Sequence, residues 1–143
     1  MPVGLNLNTG TYIKAYTMAT KRLQREFEEI TRHPVDFWEV YPNENDIYYW
    51  NAVLTGHPDS SYAGKKFCAE LIFTDKYPYE APQFRFKTKI THRNVGPSGT
   101  LCLDILKKNA WSPAYTISTL LLSIGSLIFE KPLILTIQRS SEQ

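Results

Sequence analysis

The sequence is poor in cysteine, has no long apolar run and carries almost no excess charge of either sign. Its two cysteines, Cys68 and Cys102, permit at most one internal disulfide. Together with His33, His57 and His92 they match no finger-type spacing, so a four-ligand zinc site is not expected and both read as free thiols. The longest apolar stretch, from Ile117 to Phe129, is short of the roughly 20 residues a membrane span needs. Extending it to Ile137 runs through Glu130, Lys131 and Pro132, so a membrane anchor is not expected. A formal net charge of +2 is too small for the phosphate neutralisation that drives non-specific nucleic-acid binding. No basic segment followed by an apolar one opens the chain, which makes a reducing compartment, cytoplasmic and/or nuclear, the expectation. There is no internal repeat and no low-complexity segment.

What is present is an ordinary globular composition. The 143 residues are 43% hydrophobic and 13% aromatic, enough for one compact unit with a single core and unlike a disordered or collagenous chain. Residues 1–16 carry glycine, asparagine and threonine without a period and read as a flexible tail; residues 17–143 read as the core domain. From Thr17 the pattern is helical, with Leu23, Phe27 and Ile30 at i, i+4 and i+7 and Lys21, Arg22, Arg25, Glu26, Glu28 and Glu29 at the other positions, ending at His33-Pro34. Strand-like runs follow at Phe37–Tyr41, Ile47–Thr55, Phe67–Thr74 and Gln83–Lys87. Their short connections favour an antiparallel meander over parallel crossovers. Thr116 can cap a second helix with Ile117, Leu120, Leu121, Ile124 and Ile128 on a wide apolar face, stopping at Pro132. The class is α+β. Trp50 and Trp111 read as core or loop anchors, and the aromatic run Tyr48, Tyr49, Trp50 lacks the basic groove of a base-stacking surface.

The stretch from Lys87 to Thr116 shows no long period, and such segments tend to hold function. Cys102 lies in Gly99-Thr100-Leu101-Cys102-Leu103-Asp104-Ile105-Leu106, downstream of Thr91-His92-Arg93-Asn94-Val95. Taken alone, a cysteine between leucines is more often a buried small hydrophobe than a nucleophile. Cys68, in Phe67-Cys68-Ala69-Glu70-Leu71, likewise reads as packing material.

In context, the segment closely resembles the active-site signature of ubiquitin-conjugating enzymes: His-Pro-Asn, a glycine-bearing turn, then the acceptor cysteine. Here it reads His92-Arg93-Asn94, Gly99, Cys102. Lys21-Arg22-Leu23, Trp50-Asn51-Ala52, the run from Gly56-His57-Pro58 to Ala63-Gly64, Tyr77-Pro78-Tyr79-Glu80-Ala81-Pro82 and Trp111-Ser112-Pro113-Ala114 also resemble that family, in its order, over about residues 18–130.

The resemblance implies a UBC-like fold: a four-stranded antiparallel meander with an N-terminal helix and a central helix after the active-site loop. It implies that Cys102 accepts ubiquitin or a ubiquitin-like modifier from an activating enzyme as a thioester and passes it to a lysine amine of a protein substrate, usually with a ligase. No cofactor is implied, since ATP is used by the activating enzyme. Sulfur is a strong nucleophile and a thioester is reactive enough for aminolysis. Asn94 would donate an amide N–H to the oxyanion of the tetrahedral intermediate, alongside or instead of a turn role in which it bonds its own backbone. Asp104 matches an acidic position that orients or desolvates the incoming lysine, and a solvated loop acid is an equal reading. His92 matches a structural turn residue; the competing reading is a Cys/His hydrolase with His92 as base. Partner-binding positions carried over from the family are Lys21, Arg22 and Arg25 for ligase and activating enzyme, then Tyr79, Glu80, Ser112, Pro113 and Ala114 for ligase.

Two departures stand out. Arg93 occupies the usual proline position, which frees φ and restores a backbone N–H. After about residue 130 the pattern is truncated or divergent: the usual C-terminal helices are absent, no acidic residue can be named for the lost loop, and Leu133–Ile137 could pack as a substitute strand or drive self-association. A non-catalytic adaptor of the same fold, or a poorly active truncated isoform, is therefore the alternative function. The modifier, the ligases, the substrates and any chain linkage are not legible.

Overall fold

The computed structural model describes residues 17–131 and Leu133. The expected tail at 1–16 and all of the candidate strand 133–137 except Leu133 lie outside the described residues. The first helix, α1, is Met18–Arg32. Thr17 caps it by accepting from the Thr20 N–H at 3.3 Å, and its hydroxyl also lies 3.1 Å from that of Tyr48, so the cap is tied to the sheet. Ala19, Leu23 and Ile30 form the buried stripe, with Phe27 half-buried and its ring edge-on to Trp50. At the end, the His33 N–H donates to the Glu29 carbonyl at 2.8 Å, and Pro34 follows.

One polar position on α1 is not exposed. Glu26, expected on the solvated face, is 7% exposed. One of its oxygens accepts from the Tyr77 hydroxyl at 2.6 Å and from Arg22 Nε at 2.7 Å, and the other accepts from the Ile117 N–H at 2.7 Å. Three donors compensate the desolvated carboxylate, and two of them come from segments remote in sequence, which helical periodicity does not register. Burial, then the charge of Glu26, pushes the Tyr77 hydroxyl pKa far above its ordinary value.

The four strands are β1 (Trp38–Asn43), β2 (Asp46–Thr55), β3 (Lys66–Ile72) and β4 (Gln83–Phe86). They form one antiparallel meander in the order β1-β2-β3-β4, with Trp38 opposite Leu54, Ala52 opposite Ala69 and Ala69 opposite Phe86. The first strand runs two residues beyond the expected Tyr41. Pro42 is tolerated because β1 is an edge strand, and Asn43 Oδ1 closes the tight turn by accepting from the Asn45 N–H at 2.8 Å. The third strand ends at Ile72 instead of Thr74, because Thr74 opens a turn closed by the Tyr77 N–H on its carbonyl at 3.0 Å.

Alternation places Trp50, Ala52, Leu54, Phe67, Ala69, Leu71, Phe84 and Phe86 on the inner face. That face is covered by α1 and by the second helix, α2 (Ile117–Phe129), which contributes Ile117, Leu120, Leu121, Ile124 and Ile128 to the same core. Each such fully buried leucine or isoleucine stabilises the fold by about 1.5–3 kcal/mol relative to exposure. The Trp38 indole N–H donates to the Leu121 carbonyl at 2.8 Å and ties β1 to α2. Thr116 caps α2 by accepting from the Thr119 N–H at 3.1 Å. The helix ends at Phe129, three residues before the expected Pro132, and the next residue, Glu130, has a left-handed φ of 56° that breaks the helical path. Leu133 N–H then donates to the Ser126 hydroxyl at 3.0 Å.

The same alternation corrects the reading of Cys68. Phe67 and Ala69 point inward, so Cys68 stands exposed on the outer face of β3 and does not pack the core. No helix among the described residues is long and apolar enough to cross a membrane, and no group of three or more His, Cys, Asp or Glu among them is placed to hold a metal ion.

Candidate active site

After β4 the chain folds into a small hairpin against the edge of the sheet. Arg85 bridges to Thr100, the Phe86 N–H donates to the Gly99 carbonyl at 2.9 Å, and Val95 bridges to Leu101. The approach is close enough to demand glycine at 99: its φ is +87°, and a Cβ there would stand 2.0 Å from the Phe86 carbonyl oxygen. The Gly99 N–H donates to the Gly96 carbonyl at 3.0 Å and closes the turn.

Cys102 emerges from the second arm of this hairpin with its side chain exposed. Its N–H donates to the Asn94 carbonyl at 2.8 Å, so the thiol-bearing residue and Asn94 are locked side by side. The structure therefore brings together two residues whose sequence separation hides their proximity. Asn94 is half-buried and is held through its backbone, since its own N–H donates to His92 Nδ1 at 3.0 Å. The side-chain-to-backbone bond that shapes the turn thus comes from the imidazole, and the carboxamide of Asn94 is not needed for it.

His92 has a 3% exposed side chain, with Nε2 lying 3.1 Å from the Leu127 carbonyl. With Nδ1 accepting, Nε2 carries the proton and donates to that carbonyl, which anchors the hairpin to α2. Both ring nitrogens are occupied by backbone partners, which leaves the hydrolase reading without a base. Tyr62 adds a further strut, its hydroxyl donating to the Thr91 carbonyl at 2.6 Å.

Beyond Cys102 the chain makes a 3-10 turn at Asp104–Leu106. Asp104 is 86% exposed, and its carboxylate accepts from Lys107 Nζ at 3.1 Å. The hydrogen bond and charge of Asp104, then the Cys102 side chain, hold the Lys107 ammonium pKa above its ordinary value. Lys107 and Glu130 are the neighbours the sequence reading missed. Glu130, at the end of α2, pairs with Arg93 at 3.3 Å and stands 3.9 Å from His92 Nε2. Arg93 thus tethers the turn where the family pattern has proline. The spacing of Asp104 and Lys107 at i, i+3 was a signal for their pairing; nothing in the sequence placed Glu130 there.

The expected partner-binding residues lie on two neighbouring loops and α1. Lys21 and Arg25 are exposed. Arg22 is only partly so: its Nη2 donates to the Pro113 and Tyr115 carbonyls at 3.2 and 3.1 Å, which makes it a brace between α1 and the second loop. Tyr79 is 68% exposed and Glu80 pairs with Lys76 at 3.7 Å. Pro113 and Ala114 are exposed, and Ser112 Oγ accepts from the Ala114 N–H at 3.2 Å. The Trp111 indole N–H donates to the Pro78 carbonyl at 2.7 Å and pins the two loops together.

Residues 22–136 match the sequence model of the family described as ubiquitin-conjugating enzyme. The chain belongs to the ubiquitin-conjugating enzyme family. Among solved structures, human ubiquitin-conjugating enzyme E2 G1 is 32% identical, with 78% of this chain and 94% of that one covered at a TM-score of 0.73. The ubiquitin-conjugating enzyme E2 from Plasmodium falciparum is 28% identical, with 82% of this chain and 90% of that one covered at a TM-score of 0.75. A structure described as a novel ubiquitin-conjugating enzyme is 27% identical, with 81% and 77% covered at a TM-score of 0.75. For a ubiquitin-conjugating enzyme, ubiquitin, an activating enzyme and ligases are the general partner classes.

Proposed function

We propose that this chain accepts ubiquitin or a ubiquitin-like modifier as a thioester on Cys102 and transfers it to a lysine amine, usually with a ligase. The observation that carries the reading is an exposed thiol whose backbone is clamped to Asn94 at 2.8 Å in a hairpin held by His92. The Cys102 sulfur attacks the modifier's C-terminal carbonyl, displacing the activating enzyme's thiol. A lysine amine then attacks the new thioester, and charge develops on the carbonyl oxygen. The carboxamide of Asn94, free of any duty in shaping the turn, is the donor for that oxyanion. Asp104, exposed two residues beyond the nucleophile, receives the incoming ammonium and orients it. No cofactor takes part; ATP is consumed upstream by the activating enzyme. A reducing compartment, cytoplasmic or nuclear, keeps the thiol free.

Lys21 and Arg25 on α1 offer charge to the activating enzyme and ligases, and Tyr79 beside the Ser112-Pro113-Ala114 loop offers an aromatic anchor of the kind that dominates small interfaces. The test is incubation with activating enzyme, magnesium ATP and ubiquitin. A thiol-labile adduct is expected, absent in Cys102→Ala. Binding of ubiquitin or a ligase with no adduct would support the adaptor reading instead.

A further inference from the structure

Positive charge is not spread evenly along this nearly neutral chain. Residues 60–69 carry Lys65 and Lys66 and no acidic side chain, and residues 81–103 carry Arg85, Lys87, Lys89 and Arg93 and none. Three of these cations are held: Arg85 pairs with Glu70 at 2.8 Å, Arg93 with Glu130 at 3.3 Å, and Lys87 Nζ donates to Asn51 Oδ1 at 2.6 Å. Lys65, Lys66 and Lys89 are exposed and have no acidic partner among the described residues. All three stand on one cleft. There β3 and the chain leaving β4 separate at Cys68, whose carbonyl accepts from the Lys87 and Thr88 N–H groups at 2.7 and 3.2 Å and whose N–H donates to Thr88 Oγ1 at 2.9 Å. The threonine hydroxyl ends the ladder. Beyond it a cavity of about 410 Å3 opens between residues 65–67 and 88–91. Tyr62, Phe67 and Ile90 give it an apolar lining, and the Tyr62 hydroxyl fixes Thr91 in its wall by donating to the Thr91 carbonyl at 2.6 Å.

Three unmatched ammonium groups around one cavity repel each other and return nothing to the fold, while a concave wall concentrates their positive potential. A negatively charged occupant removes that repulsion. The backbone says what form it takes. Hydrogen-bonding direction alternates along a strand, so the Lys66 N–H and carbonyl point to the same side as those of Cys68, into the cleft that β4 has vacated. A strand entering there meets main-chain groups at Lys66, lysines at the rim and apolar side chains at the floor. An extended peptide, whose side chains alternate in direction, presents acids to the one and aliphatic groups to the other. A flat lipid surface reaches only the rim.

We propose that this cleft is a docking site for an extended segment of a partner protein in which acidic residues alternate with aliphatic ones. Lys65, Lys66 and Lys89 hold the carboxylates as point charges, and Tyr62 and Ile90 receive an aliphatic side chain between them. Thr91, in the wall, directly precedes His92, so the docked segment lies at the root of the hairpin that carries Cys102. The proposal concerns binding and does not require the thioester reading.

The experiment titrates the full chain into a fluorescein-labelled Glu-Val-Glu-Val-Glu-Val peptide, read by fluorescence anisotropy at low salt. Saturable binding is expected, and the Gln-for-Glu peptide should bind about tenfold more weakly. Lys65→Gln, Lys66→Gln and Lys89→Gln combined should weaken the acidic peptide by a similar factor, and the same three changed to arginine should retain its affinity. Lys76→Gln, Lys107→Gln and Lys108→Gln combined remove equal charge from exposed lysines outside the cleft and should leave the affinity unchanged. Backbone amide shifts on peptide addition should concentrate at Lys66, Ile90 and Thr91. Absence of saturable binding, equal weakening by the two glutamine triples, or shifts centred elsewhere overturns the proposal. So does equal affinity, through the same lysines, for a single-stranded hexanucleotide or for phosphatidylserine vesicles, which would make the cleft a general anion surface.

Discussion

Glu26 offers the perturbation whose size can be worked most directly from the structure. Truncation to alanine removes an acceptor from three donors at once: the Tyr77 hydroxyl, the Ile117 N–H and Arg22 Nε. Arg22, with a quarter of its side chain exposed, can turn to water. Tyr77 and Ile117 cannot, being 2% and 0% exposed. Each buried donor left without an acceptor costs about 1–3 kcal/mol, so Glu26→Ala should lose about 3–5 kcal/mol. At about 3 °C per kcal/mol for a chain of this size, the melting temperature should fall by about 10 °C in calorimetry or thermal circular dichroism. A double-mutant cycle locates the loss. Tyr77→Phe alone should cost about 1–3 kcal/mol, and in the Glu26→Ala background it should cost nothing, because the hydroxyl has already lost its acceptor. A melting temperature within about 2 °C of the parent, or additive costs in the cycle, would refute the claim that this carboxylate ties α1 to the Tyr77 loop and to the start of α2.

Other outcomes follow from the same geometry. Gly99→Ala should cost about 2–4 kcal/mol in urea unfolding, since its Cβ would meet the Phe86 carbonyl at 2.0 Å; Gly64→Ala, at φ +78° with nothing within 4 Å, should cost only about 1 kcal/mol, and equal costs would contradict the close approach. Asn94→Ala should charge normally, yet discharge to free lysine about 100- to 1000-fold more slowly; unchanged discharge would remove the oxyanion role. On the outer sheet face, the Arg85 hydrogen bond, helped by Tyr49 and opposed by partial burial, holds the Glu70 carboxyl below its usual range. A depressed folded-state pKa stabilises above the unfolded value and is lost as pH falls through the folded one. The stability advantage over Glu70→Gln should therefore be full above about pH 5 and shrink progressively below the ordinary glutamate value of about 4.3; an advantage independent of pH would contradict it.

Much of this architecture was legible because its signals are local. The alternation of Trp50, Ala52 and Leu54, and of Phe84 and Phe86, marks a one-sided sheet, and the wide apolar face from Ile117 to Ile128 marks a helix that must be buried. The strand ends were less legible, since Pro42 can remain in a strand only where the sheet stops, and edge position is a tertiary fact. The candidate nucleophile and its neighbour were found through the resemblance to a family signature, since residue type alone favoured packing for Cys102; in the structure Cys102 and Asn94 meet across a hairpin turned at Gly96–Gly99. The pairing of Asp104 with Lys107 was visible as an i, i+3 spacing but lies in a turn with no helical pattern to call attention to it. Glu26 and Glu130 were beyond reach, because their partners lie far away in the chain: Tyr77 and Ile117 for one, Arg93 for the other. Cys68 shows the opposite case, where alternation with Phe67 and Ala69 already indicated an outward thiol.

Two exposed thiols make the assignment of the nucleophile open to a decisive measurement. The chain, Cys68→Ser and Cys102→Ser are each incubated with activating enzyme, magnesium ATP and ubiquitin, and the adducts are challenged with thiol and with hydroxide. A thioester on Cys102 requires that Cys68→Ser charge like the parent, and that Cys102→Ser give no thiol-labile adduct and at most an oxygen ester that resists thiol and yields to hydroxide. A thiol-labile adduct that survives in Cys102→Ser and vanishes in Cys68→Ser would contradict it.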